Sequence, residues 1–339
     1  MININMDFPI NESYWKDMNV EEKNEFVKQV FQHYRETGFP HYNLSVDEQV
    51  EEINKMKKYF ESNELVKDDK IKQTMHCLGT AWSYFPHSWS IRCGKSKTPN
   101  EIFSSDDLFM KCIERRLKRG SYISDSGIRK ALRSYTNVQS VSNFRPSVAK
   151  MIYEKYGGHS VYDPCMGFGG RLLGAIASNN VMEYVGCDPS VKTYEGLVKM
   201  VENLSHTKDG FKAELNNCGS EEFVENKKFD LVFTSPPYFD TEKYSDEETQ
   251  SYRKFPKYEL WINGFLKPMI ENSISMLKNN GYFIINVANV KTGKNMEEDF
   301  KKLVSDFNLT FEKKLDMLLS NIAKGGYKSE PLFIYKKLY

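Results

Sequence analysis

The spacing of hydrophobic positions changes character near residue 140. Before it, apolar residues recur at helical intervals. Asn19, followed three residues later by Glu22, opens a stretch in which Phe26, Val27, Val30, Phe31 and Tyr34 keep a 3.6-residue period up to Gly38. Ser45 with Glu48 repeats the cue ahead of Val50, Ile53, Met56 and Phe60. Two amphipathic helices are predicted there. Residues 76–98 (HCLGTAWSYFPHSWSIRCGKSKT) are aromatic and rich in Gly, Ser and Pro without a clean period, and read as loop with short strands. After 140, short apolar runs alternate with helical stretches: strands at 160–163, 184–187, 229–233 and 282–287, helices at 170–178, 190–204 and 259–279. A helix at 296–306 and strands at 309–315 and 331–335 close the chain. Such alternation predicts an α/β fold, a Rossmann-like, doubly wound parallel sheet, preceded by a mainly helical N-terminal domain. The division falls at 1–139 and 140–339, and no internal repeat is visible.

Composition fits a folded protein of this kind. The 339 residues are 40% hydrophobic and 27% charged, with 12 Pro and 20 Gly, which excludes disordered and collagen-like classes. A formal net charge of +1 conceals a gradient. Residues 1–70 carry 15 acids against 9 bases, whereas 111–150 carry 10 bases against Glu114 and Asp125, a net of +8. The run KCIERRLKRG supplies Arg115, Arg116, Lys118 and Arg119, which can neutralise phosphates without reading sequence. The opening MININMDFPI has no basic or apolar signal region, no stretch reaches the ~20 apolar residues of a membrane span, and the six cysteines form no CxxC pair. The expected location is the reduced cytoplasm, with no membrane partner. His76, Cys77, His87 and Cys93 lie in one stretch but match no zinc spacing, so no metal is expected.

Chemistry concentrates where strands end. In an open α/β sheet, ligands bind beyond the carboxyl ends of the strands, where glycines let a nucleotide-like group approach a helix N-terminus. DPCMGFGGRLLGA, 163–175, has that form: Asp163 ends a strand, then Cys165, Gly167, Phe168, Gly169 and Gly170 lead into a helix. The next strand ends in Asp188, 25 residues on, where a carboxylate can accept both hydroxyls of a ribose. The glycines do not complete GxGxxG, which favours S-adenosylmethionine over a dinucleotide. The strand in KKFDLVFTSPPYFD runs into Ser235, Pro236, Pro237 and Tyr238. Two prolines remove two backbone donors and stiffen the turn, leaving carbonyls, a hydroxyl and an aromatic face, a cup suited to a planar group bearing an amine.

These motifs together resemble the amino-group methyltransferases that act on adenine or cytosine in DNA. Their (D/N/S)PPY motif appears as SPPY at 235–238, their DPFxGxG motif as DPCMGFG at 163–169, and the segment before their first strand as NFRPSVAKMIYEKY at 143–156, with Arg145 and Pro146. The resemblance spans about 140–339. It implies direct methyl transfer from S-adenosylmethionine to an exocyclic amine. Ser235 and the Pro236 carbonyl would hold the amine and Tyr238 would stack on a flipped base; Arg145, Pro146, Asp163, Cys165, Gly167, Phe168, Gly169 and Asp188 would line the cofactor.

The chain departs from the family pattern in two places. Cys165 stands where the family usually has Phe, so the aromatic contact to the cofactor has room to shift to Phe168. Only about 70 residues separate Asp163 from Ser235, too few for a recognition domain, which places target recognition in 1–139 or in the insert 240–258 with Tyr244, Tyr252 and Tyr258. The leading expectation is a site-specific DNA methyltransferase, with a cognate restriction enzyme as a possible partner and the choice of cytosine or adenine open. An RNA base-amine methyltransferase and a catalytically silent nucleic-acid-binding protein are the alternatives.

Overall fold

A computed structural model describes residues 12–62, 64–119, 123–239, 241–289, 295–322 and 326–338. The opening ten residues, read above for a targeting signal, lie outside these. In chain order the helices are α1 (Glu12–Asp17), α2 (Val20–Thr37), α3 (Val46–Ser62), α4 (Leu78–Ser83), α5 (Pro99–Ser104), α6 (Asp106–Lys118), α7 (Asp125–Arg133), α8 (Pro146–Tyr156), α9 (Gly170–Ala177), α10 (Val191–Leu204), α11 (Ser251–Lys254), α12 (Tyr258–Trp261), α13 (Lys267–Ser275) and α14 (Met296–Ser305). The main sheet is built from β1 (Val66–Lys67), β2 (Lys70–Lys72), β3 (Ser160–Asp163), β4 (Glu183–Cys187), β5 (Lys212–Asn216), β6 (Phe229–Thr234), β7 (Leu277–Asn286), β8 (Leu309–Ile322) and β9 (Gly326–Lys337).

The described residues fall into two compact units, drawn from Met1–Tyr42 with Pro86–Val141 and from Asn43–Phe85 with Ser142–Tyr339. The last cut coincides with the change of hydrophobic period near 140. Residues 43–85, grouped by sequence with the N-terminal region, instead belong to the sheet-bearing unit: β2 pairs with β8, in parallel, and Trp82 and Phe85 pack on Phe168. Helical periodicity shows that α3 has an apolar face but not which core receives it.

The smaller unit is helical. Asn19 and Glu22 form the reciprocal cap that the sequence predicts, the Asn19 side chain accepting from the Glu21 and Glu22 amides while Glu22 accepts from the Asn19 amide. Val30 and Tyr34 of α2 are buried with Phe109, Ile113 and Leu117 of α6 and Ile128 and Leu132 of α7. The 76–98 segment is more helical than predicted. It contains α4 and a 3-10 turn at Pro86–Ser90. Packing of Leu78, Ala81, Trp82 and Trp89 overrides the Gly and Pro signals there.

The larger unit carries a nine-stranded sheet in the order β1-β2-β8-β9-β7-β6-β3-β4-β5. Strands β7, β6, β3, β4 and β5 run parallel, as the alternation of strand and helix predicts. The sheet is not wholly parallel. β9 is antiparallel to both β7 and β8, because β8 and β9 are consecutive and joined too closely for a crossover helix. The edge strand β5 escapes sequence reading because its residues are half-buried or exposed and give no apolar run. The predicted 259–279 helix is broken into α12, a π-helical turn at Ile262–Leu266 and α13. Pro268 lacks the N–H that would bond back to Gly264, and the wider turn absorbs the gap. Against the sheet, α8 and α9 meet closely: a Cβ on Gly174 would lie 2.5 Å from that of Ala149.

The parallel strands β3, β4, β6 and β7 all end on one edge, and the order reverses between β3 and its neighbours β4 and β6. Asp163, Asp188, Ser235 and Asn286 are therefore carried to the same end of the sheet.

Candidate active site

The turn after β3 is organised from beneath. Asp163 is fully buried and accepts from Arg171 Nε at 2.8 Å and Nη2 at 3.2 Å, and from the Tyr184 hydroxyl at 2.6 Å. Arg171, on α9, also donates to the Cys165 carbonyl. A buried charge pair of this kind is tolerable only when it is well hydrogen-bonded, and the Asp163 carboxylate here also accepts from the Cys165 amide at 3.3 Å. Asp163 thus ties strand, turn and helix together and spends its acceptors inside the protein. The Cys165 amide donates to Thr234 Oγ1 at 3.2 Å, fastening the same turn to the end of β6. Burial pushes the Cys165 thiol up to about 12, so it is not a nucleophile at neutral pH.

Gly167 and Gly169 have φ of +54° and +69°, a backbone conformation that side chains disfavour. Gly170 is fixed by contact instead: a Cβ there would lie 1.9 Å from the Phe144 carbonyl oxygen. Asn143 Nδ2 donates to the Phe168 carbonyl at 2.8 Å, so the segment before α8 holds the glycine turn from its other side. The Phe168 ring is buried against Trp82 and Phe85, with Tyr244 of the insert 5.9 Å away. Arg145 precedes Pro146 at the start of α8, and its Nε donates to Gln73 Oε1 at 2.9 Å.

Asp188 follows β4. Its Oδ2 accepts from the Gly167 amide and its Oδ1 from the Ser190 amide, each at 3.0 Å. Each oxygen keeps a second lone pair, the pattern a vicinal diol requires. Burial raises this carboxyl to about 7, against the pull of the two amide donors. The insert reaches the same place: Glu247 Oε1 accepts from the Val191 amide at 3.0 Å and Thr249 Oγ1 donates to the Pro189 carbonyl at 3.1 Å.

At the end of β6, Ser235 is half-buried and Pro236 buried. Ser235 Oγ donates to Asn286 Oδ1 at 3.1 Å and the Tyr238 hydroxyl donates to the same oxygen at 3.2 Å. Phe239 has φ of +52°, uncommon for a bulky residue, and packs its ring on Tyr258 and Trp261. The turn is thereby held at both ends, by a polar anchor and by an aromatic plug.

This arrangement coincides with a family match over residues 174–314, which includes Asp188, SPPY and Asn286: the matching model is that of the Eco57I restriction-modification methylases. That match covers 141 of the 339 residues. The sheet that holds it is Rossmann-like. No curated protein matches the chain. Among solved structures, it is similar to the N-methyltransferase NodS from Bradyrhizobium japonicum at 10% identity over 57% of this chain and 92% of that one, TM-score 0.39. The same NodS in complex with S-adenosyl-L-homocysteine matches at 10% identity over 56% and 83%, TM-score 0.37. An rRNA methylase from Streptococcus thermophilus matches at 12% identity over 59% and 100%, TM-score 0.38.

Within the matched region and the turn that precedes it, Asp163, Cys165, Gly167, Phe168, Gly169, Asp188 and Ser235 to Tyr238 gather at one sheet edge. The basic residues lie in the other unit. There Arg115 Nη1 donates to Thr136 Oγ1 at 2.8 Å, Lys118 lies 3.5 Å from Glu114, Arg116 is half-buried and Arg119 is exposed at the end of α6. Sequence reading missed Arg171, Tyr184, Glu247 and Asn286. Asn286 alone had a signal, as the polar residue interrupting the apolar run GYFIINVA. Among the described residues no three His, Cys, Asp or Glu side chains group to hold a metal, and no helix is long and apolar enough to cross a membrane.

Proposed function

We propose that this methylase modifies the exocyclic amine of a cytosine or adenine in DNA at a specific site. The observation that carries the reading is the facing of the glycine turn and Asp188 by the SPPY turn at the ends of adjacent parallel strands.

The cofactor side fits S-adenosylmethionine. Asp188 offers one acceptor per carboxylate oxygen to the two ribose hydroxyls, and Gly167 and Gly169 keep the turn free of side chains. Phe168, Cys165, Arg145 and Pro146 complete the wall, and Asp163 holds it in place through Arg171. When bound, the cofactor supplies an electrophilic methyl group on a sulfonium. On the substrate side, Ser235 Oγ and the Pro236 carbonyl accept the amine hydrogens and fix where its lone pair points. As the nitrogen lone pair bonds to the methyl carbon, the methyl–sulfur bond would break with its electron pair returning to sulfur, leaving S-adenosylhomocysteine; the positive charge gained by the nitrogen would be stabilised by these two oxygens until one amine proton is lost to solvent. The Tyr238 ring offers a face for the base. A base inside a duplex cannot reach this turn, so it is flipped out at a cost of a few kcal/mol, offset in part by stacking.

Arg115, Arg116, Lys118 and Arg119 would contact phosphates and position the duplex, while target recognition would fall to the part of 1–139 outside the sheet-bearing unit or to the insert. A restriction enzyme is the partner that the matched family suggests. The test is transfer of label from tritiated S-adenosylmethionine to unmethylated DNA and, separately, to total RNA, followed by nucleoside analysis and mapping of the modified site. Label in N4-methylcytosine or N6-methyladenine of DNA supports the reading; label in RNA alone replaces it with an RNA enzyme. Absence of label in both leaves a silent binder.

A further inference from the structure

Asn286 occupies the last position of β7, is 2% exposed, and has no direct part in the site as proposed. Its partners fix it completely. Nδ2 donates to the Pro331 carbonyl of the neighbouring strand β9 at 2.9 Å. A carbonyl can only accept, so the atom facing Pro331 must be the amino nitrogen, and the atom facing the SPPY turn must be the amide oxygen. That oxygen receives both the Ser235 hydroxyl and the Tyr238 hydroxyl, at 3.1 and 3.2 Å. It too can only accept, so both hydroxyls spend their single hydrogen on it.

We infer that Asn286 is a specificity-determining positioning residue: by taking the hydroxyl hydrogen of Ser235, it leaves that oxygen able only to accept, and so sets the site to take an amine and refuse a carbonyl. A serine hydroxyl is by nature ambidextrous, with one hydrogen to give and two lone pairs. Left alone at the end of β6 it could donate to the exocyclic oxygen of uracil, thymine or hypoxanthine as readily as it accepts from the amine of cytosine or adenine. The Pro236 carbonyl beside it is an acceptor by constitution. With Asn286 in place Ser235 becomes a second acceptor, and an exocyclic oxygen would face two acceptors and no hydrogen. The polarity runs outward in one chain, from the Pro331 carbonyl through the Asn286 amide and the Ser235 hydroxyl to the substrate amine. The inference rests on the function proposed above and concerns how that site discriminates.

The experiment uses the full chain and a duplex bearing the site mapped by the labelling test, carrying either the target base or its deaminated counterpart, uracil for cytosine or hypoxanthine for adenine. Kd for the two duplexes is measured by fluorescence anisotropy in the presence of S-adenosylhomocysteine. The wild-type protein is expected to disfavour the deaminated duplex by tenfold or more, on the order seen when a buried polar group is left unpaired. Asn286→Ala releases the Ser235 hydrogen and should shrink that ratio about tenfold while lowering kcat more than it raises KM. Asn286→Asp still presents an acceptor to both hydroxyls and should keep the wild-type ratio despite losing the bond to Pro331. A purely structural role predicts that both variants lose stability and neither changes the ratio. If Asn286→Ala does not fold, Asn286→Ser carries the test, because its hydroxyl can itself donate to Ser235 and reverse the polarity. An unchanged ratio in a folded Ala or Ser variant, beside an active wild type, overturns the inference and leaves the proposed function standing. No methyl transfer by the wild type to any nucleic acid overturns both.

Discussion

The Gly167 amide donates to Asp188 Oδ2 across 3.0 Å, joining the turn after one strand to the end of the next. The same carboxylate receives the Ser190 amide on its other oxygen. Because both donors are backbone groups, the Asp188 carboxylate is oriented by main chain alone, and each oxygen keeps acceptor capacity.

Cofactor affinity should therefore follow the ionisation of Asp188. Burial raises its carboxyl to about 7. Below that pH the group is protonated and has lost an acceptor; above it, the carboxylate can take both ribose hydroxyls. S-adenosylmethionine affinity should fall toward tenfold per pH unit below about 7, and binding near that pH should release a proton. Calorimetry from pH 5.5 to 8.5, in buffers of different ionisation enthalpy, checks this; Asp188→Asn should bind more weakly and lose the pH dependence. The sign for stability is opposite: a carboxyl raised on folding favours the folded state in acid, and that contribution is lost as pH rises through about 7. A flat wild-type binding profile would remove Asp188 from the ribose.

Breaking the Asp163–Arg171 pair should cost much more than a surface pair. Both side chains are buried, so Asp163→Ala strands a guanidinium and should destabilise by about 3–5 kcal/mol, read as a lower urea midpoint. Tyr184→Phe, which removes one donor to the same carboxylate, should cost about 1 kcal/mol. Equal and small effects would contradict the role of Asp163 as the organiser of the turn.

At the chemical end, binding and turnover should separate. Ser235→Ala removes one acceptor for the amine and is expected to lower kcat by about a hundredfold. Tyr238→Ala should weaken turnover on DNA by a comparable amount through loss of stacking. S-adenosylmethionine affinity, followed by calorimetry, should stay within about twofold of wild type in both variants. Full activity in either one would sink the assigned role.

Glu247 links the insert to the first turn of α10 beside Asp188. Glu247→Ala should loosen that cover, raising the KM for S-adenosylmethionine several-fold with little change in melting temperature. A variant indistinguishable from wild type would make the insert a bystander to the cofactor.

Phosphate contacts are counted by salt. If Arg115, Lys118 and Arg119 each meet a phosphate, replacing all three by Ala should weaken DNA binding and reduce the slope of log Kd against log salt by about 3. An unchanged slope would return the basic run to a solvated helix face.

Much of this protein was decided locally. The caps at Asn19 and Ser45, the strand endings at Asp163, Asp188 and Ser235, the glycine turn and the rigid SPPY turn are legible because each depends on a few consecutive residues: hydrogen bonds between near neighbours, φ angles that glycine tolerates, amides that proline removes. Strand and helix in alternation was enough to predict a parallel sheet with its ligand edge at the carboxyl ends. What tertiary structure alone decided is which distant residues complete those local pieces. Residues 43–85 join the sheet-bearing unit because β2 pairs with β8 and Phe168 needs Trp82 and Phe85 around it, relations between segments far apart in sequence that carry no periodic trace. The reversal of β9 and the half-exposed edge strand β5 were hidden for the same reason, since pairing partner and burial are properties of the assembled sheet. Asp163 reads in sequence as a ligand residue; only the approach of Arg171 and Tyr184 shows its acceptors consumed within the protein. Asn286 is the sharpest case. Its residue type was visible as the one polar break in an apolar run, but its effect on Ser235 depends on the Pro331 carbonyl, 45 residues further on, fixing which end of the amide faces the site.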